Sequence, residues 1–214
     1  MAISDAQRER VARFQAQREQ YLAVRAREHR ESSGGMRMES KAMLLGHAMH
    51  PMLIVFPLGL FATAAIFDVL HLIGGNGTWA EVSFYMMTAG IIGGLIAAVP
   101  GAIDWTAIPS GTRAKAIGLW HGVGNVVVIA LFAASWALRR GDIGNPSTMA
   151  MMLSFAGISL ALLTGWLGGE LVDRLGVGVD RGAHLNSPNS LSGSPASASV
   201  SDIDTGEPQR VARA

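Results

Sequence analysis

Residues 47–71 read HAMHPMLIVFPLGLFATAAIFDVLH. Two histidines, His47 and His50, and a proline, Pro51, open this stretch, and Asp68 and His71 close it. Between them the chain is apolar over the depth of a bilayer, since about 20 helical residues at ~1.5 Å each cross ~30 Å of hydrocarbon. Pro51 is compatible with a first helical turn, where its missing N–H would have no partner anyway. Pro57 lies deeper and is expected to kink the helix.

Working outward, the same apolar signature recurs three times. The spans are expected at about 51–72, 80–103, 116–138 and 148–172, separated by turn signals such as Gly74-Gly75-Asn76-Gly77 and Gly141-Asp142-Ile143-Gly144-Asn145-Pro146. Val99-Pro100-Gly101-Ala102 is expected to weaken the end of the second span, after which Asp104-Trp105 leaves the membrane. Gly90 with Gly94, and Gly165 with Gly169, are small-xxx-small pairs that let a neighbouring helix approach. Charged residues make up 15% of the 214 residues, against ~25% in soluble domains. The expected fold is all-α: a polytopic membrane four-helix bundle over about 45–180.

Flanking segments differ in kind. Residues 1–40 are polar and arginine-rich, and Ser4 to Glu31 is expected to form a solvated, charge-laced helix or one lying on anionic lipid. An early apolar region of a secretory signal is not visible there, so the first span is expected to be a retained anchor. From His184 onward Ser, Pro, Asn and Ala dominate, and 184–214 is expected to be a disordered polar tail. The chain has no cysteine, which excludes disulfides and thiolate-ligated metals or iron–sulfur clusters. A net charge of +1 gives no field for nucleic acid.

Basic residues set the expected orientation. Nine precede the first span, two lie between the second and third, and four follow the fourth, so 15 of the 17 share one side. The positive-inside rule then places both termini in the cytoplasm of a plasma-membrane protein. Arg139-Arg140 lie on the opposite side.

This orientation sorts the polar groups by depth. His47, His50, Asp104, His121 and Glu170 fall at the cytoplasmic leaflet, and Asp68 and His71 at the other, His50 and Asp68 being eighteen residues or ~27 Å apart along a helix. Ionisable groups at membrane depth are costly and are functional candidates by default. Plainer readings exist for each. His47 fits the headgroup region, His50 a helix cap or a lipid phosphate contact, and Asp68 a pairing with His71 or Arg139. Asp104 and Glu170 fit interface carboxylates near Arg113 and Lys115. His121, among Gly118, Trp120, Gly122 and Gly124 and close to Asn125, is too deep to be free in water. His50, Asp104, His121 and Glu170 are expected to approach one another, with Asp104 accepting from His121.

The strings HPMLIVFPLGLF with Asp68, then GAIDW, WHGVGN and GWLGGELVDRLGVGVD, resemble a bacterial membrane-protein family, domain of unknown function 2231. The resemblance covers about Leu45 to Asp180, and the family pattern includes His50, Asp68, Asp104 and His121. It implies a four-helix membrane domain and no established reaction. Some relatives are joined to a Rieske-type iron–sulfur domain, which implies electron transfer by analogy alone.

Three functions compete on the residues. A structural or interaction role in the membrane needs only helix packing, in contact with the bilayer and with a homo-oligomeric or redox partner protein. A haem b redox protein would use His50 and His121, on different helices, as axial ligands, with glycines making room for the macrocycle. A proton or small-solute path would run along Asp68, Asp104, His121 and Glu170. A metal hydrolase using His47, His50, His121 and Glu170 is a fourth reading. No nucleophile elbow or phosphate-binding glycine pattern is present.

Overall fold

The computed structural model describes residues 15, 17–22 and 38–199. Residues 17–22 are helical and exposed, in a unit of their own that ends at Arg37. The remainder of the expected N-terminal helix, and the tail beyond residue 199, lie outside the described residues.

The membrane domain has four helices: α1 (Met49–Gly74), α2 (Gly77–Ala107), α3 (Arg113–Arg139) and α4 (Thr148–Gly169), the last continued by one π-helical turn over Glu170–Arg174. All four are long and apolar enough to cross a membrane. α1 packs mainly on α2 and α3 on α4, giving two helical hairpins. These meet along α2 and α3 and touch less between α1 and α4.

Caps fix most of the helix ends. The side chains of Asn76, Thr112 and Ser147 accept from the backbone N–H of Thr78, Lys115 and Ala150, at the starts of α2, α3 and α4. Gly75 (φ 64°) closes α1 in the left-handed conformation, its N–H donating to the His71 carbonyl. A short antiparallel hairpin, β1 (Met43–Leu44) and β2 (His47–Ala48), leads into α1.

The second helix is longer than the expected span: α2 runs through Pro100 to Ala107, so Asp104 and Trp105 are helical. Proline removes one N–H and disturbs the preceding turn without ending a helix whose other faces are packed. Trp105 is held from α3: its indole donates to the Lys115 carbonyl, and the Lys115 ammonium lies 3.9 Å from the ring centre. The glycine pairs are also unequal. A Cβ on Gly90 would meet the Phe61 ring and one on Gly94 would meet Ile129, whereas Gly165 faces open space. Gly90 therefore admits an aromatic side chain, and Gly165 lines no helix contact.

The surface is inside-out relative to a soluble bundle. Ile73, Val55, Leu162 and Trp166 are exposed, while Ala64, Ala80, Ser83, Ala97 and Ser154 are buried. Lipid offers no hydrophobic drive to bury large side chains, so small residues take the helix contacts. Residues 183–199 form turns and make specific contacts. The His184 ring donates to the Ala198 carbonyl at 3.1 Å, Ser187 donates to that of Ala196 at 2.6 Å, and Ala198 is buried.

Candidate functional site

The interior is stacked in three layers along the bundle. At the end where α1 begins, the imidazoles of His50 (α1) and His121 (α3) meet edge to face, with ring centres 6.1 Å apart and planes at 88°. Each Nδ1 is 2.8 Å from a helix carbonyl, Ala97 for His50 and Thr164 for His121. A carbonyl can only accept, so each Nδ1 carries a hydrogen and donates in its contact. The Asn125 amide is 3.3 Å from His121 Nε2, donates to the His121 carbonyl at 2.8 Å, and accepts from the Thr164 hydroxyl at 3.1 Å.

The middle layer is apolar. Phe61 and Phe132 stack face to face at 4.0 Å with planes at 6°, beside Met87, Val128 and Ala161.

The far layer is a fully buried ion pair. Arg139 donates to both oxygens of Asp68 at 2.7 Å, and both side chains are completely buried. Ser83, Ser135 and Ser154 complete the network on the guanidinium, and Ser154 also donates to Asp68 at 2.6 Å. All four helices thus contribute a residue, and the carboxylate and guanidinium match as two parallel charge-assisted bonds. Of the two partners expected for Asp68, Arg139 is the one found. His71 is half-buried and donates to the Asn76 carbonyl at 3.0 Å. The serines were not singled out in the sequence. Their spacing with Asp68 and Arg139 on interior faces was the available signal.

The expected four-residue cluster divides. His50 and His121 come together, while Asp104 and Glu170 have other partners. Asp104 accepts from the Ser40 hydroxyl and from the backbone N–H of Lys41 and Ala42, at 2.7–3.1 Å, tying the segment before β1 to α2. Three donors converging on one carboxylate out-compete a single imidazole that a carbonyl already holds. Glu170 pairs with Arg113 at 2.6 Å. His47 stays in the β-hairpin, its Nε2 3.3 Å from the Ser190 hydroxyl. Among the described residues no three His, Asp or Glu side chains gather as a metal site.

The sequence profile described as "Predicted membrane protein (DUF2231)" matches residues 46–181. The chain belongs to the DUF2231 family. No curated protein and no solved structure matches it. The DUF2231 match spans all four helices and all three interior layers, and it leaves outside both the N-terminal segment and the residues beyond 181.

Proposed function

We propose that this DUF2231 protein is a membrane-embedded haem b protein that carries electrons, with His50 and His121 as the axial ligands. The observation that carries this reading is the pairing of two inward imidazoles from different hairpins with both Nδ1 atoms held by carbonyls. His50 and His121 would hold the haem iron, each hairpin contributing one imidazole nitrogen. The hydrogen-bonded Nδ1 fixes ring orientation and raises the basicity of Nε2, the usual outer-shell support of a ligating histidine. Asn125 would give up its contact with Nε2 and keep its two other partners. The haem would supply one-electron redox chemistry, and a redox partner protein would complete the transfer.

Haemin titrated into the detergent-purified protein is expected to give a Soret band with a stoichiometry of one, lost in His50→Ala and His121→Ala and kept in His47→Ala. Titration with no spectral shift overturns the proposal. It would favour the structural or interaction reading, which has its own support: among the described residues every buried side-chain nitrogen and oxygen already has a partner. A proton or solute path gains little, because Phe61, Phe132 and Met87 fill the interior between the polar layers.

The proposed orientation is a plasma-membrane protein with both termini cytoplasmic. Burial of Arg139 in the network removes it from the exterior connection, leaving Arg140 as the basic residue there. The histidine layer then faces the cytoplasmic leaflet. Reporters fused after Arg113 and Arg181 are expected to read cytoplasmic, and those after Gly75 and Asn145 exterior. The reverse pattern would invert the site.

A further inference from the structure

The second hairpin repeats the interior of the first. In α1 the buried positions include Pro57, Phe61, Ala64 and Asp68. In α3 they include Val128, Phe132, Ser135 and Arg139, each 71 residues further on, as His121 is from His50. In α2 the buried Ser83, Met87, Gly90, Gly94 and Ala97 correspond to Ala150, Ser154, Gly157, Ala161 and Thr164 of α4, each 67 residues on. The two offsets differ by four residues, about one helical turn, so the same faces point inward. That turn is missing from the connection in the second hairpin: Ser83 follows Asp68 by 15 residues, and Ala150 follows Arg139 by 11.

Equivalent residues then meet one another. His50 contacts His121, Phe61 stacks on Phe132, and Asp68 pairs with Arg139. A residue touching its own counterpart marks a two-fold axis. Because α1 and α3 run in the same sense, this axis lies along the bundle, as in parallel membrane repeats.

Each hairpin also seats its histidine in the same way. The Nδ1 donates to a carbonyl on the hairpin's own second helix, and the glycine four residues beyond that carbonyl lies under the ring. A Cβ on Gly101 would fall 2.8 Å from His50 Nδ1, and one on Gly168 would fall 3.1 Å from His121 Cε1. The carbonyls are those of Ala97 and Thr164.

We infer that the membrane domain is two equivalent hairpins about a pseudo-two-fold axis, and that Gly101 and Gly168 are matched positioning residues that present both imidazoles to one ligand on that axis. On the haem reading above, that ligand would be a metal centre held by His50 and His121. This last clause rests on the proposed function, whereas the equivalence of the hairpins does not.

The test uses the full chain in detergent. Asp68→Arg and Arg139→Asp each set like charges face to face and are expected to lower the melting temperature sharply. The exchange variant carrying both substitutions places each group at the other's equivalent position and is expected to recover at least half of that loss. An exchange variant no more stable than the single variants overturns the equivalence. Ring 15N signals of labelled histidine supply the second measurement. His50 and His121 are both expected as the Nδ1–H tautomer, with Gly101→Ala shifting the His50 signals alone and Gly168→Ala those of His121 alone. Finding either ring as the Nε2–H tautomer, or both glycine variants acting on the same ring, overturns the matched seats. Absence of a Soret band with these results intact would refute the haem reading and leave the repeat standing.

Discussion

Arg139→Leu is expected to cost the fold about 3–5 kcal/mol, the range for breaking a buried ion pair from one side. Asp68 would be left completely buried with only Ser154 as donor, in a bundle whose surroundings are lipid. Asp68→Leu is expected to do comparable damage by stranding the guanidinium among three serines. Removing both charges together should cost much less than either alone, since two desolvated ions disappear with their mutual attraction. Denaturation by titrated SDS, followed by circular dichroism, reads all three variants. Single-variant losses below about 1 kcal/mol would mean that water or lipid headgroups reach the pair.

Gly90→Leu and Gly157→Leu are expected to be the most damaging of the glycine substitutions. A Cβ at Gly90 would stand 2.7 Å from the Phe61 ring, and one at Gly157 would stand 2.8 Å from the Phe132 ring. Neither ring can retreat, because the other face of each is stacked on its counterpart at 4.0 Å. Overpacking of this kind costs typically ~1–3 kcal/mol, and a confined ring puts these sites at the upper end. Gly122→Leu and Gly165→Leu, which meet open space, are the controls and should change stability by less than about 0.5 kcal/mol. If the controls are as damaging as Gly90→Leu, the stacked pair is not what makes the glycine necessary. Gly90→Ala combined with Phe61→Leu should recover stability relative to Gly90→Ala alone, because the leucine leaves room for the added methyl.

The histidine and arginine layers show how residues of similar appearance in sequence acquire different standing. Both His50 and Asp104 lie at the same end of the bundle and belong to the same family strings. His50 turns inward to an opposing histidine, while Asp104 binds the backbone of Ser40–Ala42 and serves the approach to the first helix. Arg139 and Arg140 are adjacent, yet Arg139 is completely buried and Arg140 is exposed, 5.3 Å from the Trp136 ring centre. Their hydropathies are the same. Which one the helix turns inward depends on the phase of α3, and which charge can be afforded there depends on Asp68 from another hairpin.

The sequence by itself determined that four helices are long and apolar enough to span the membrane, roughly where each begins, and which ionisable residues lie toward the same end of the bundle. Those properties are additive along the chain: length, hydropathy and turn residues act locally, and in lipid a backbone must satisfy its own hydrogen bonds as helix. It also narrowed Asp68 to two partners and singled out His50 and His121. Tertiary structure alone decided that Arg139 is the partner and that the histidines meet. It also decided that Asp104 and Glu170 turn elsewhere, and that Ser83, Ser135 and Ser154 close the ion-pair network. Each of those outcomes depends on the rotation of one helix against another, which is set by close packing of small residues and by competition among donors for one acceptor. Neither is carried by any single segment.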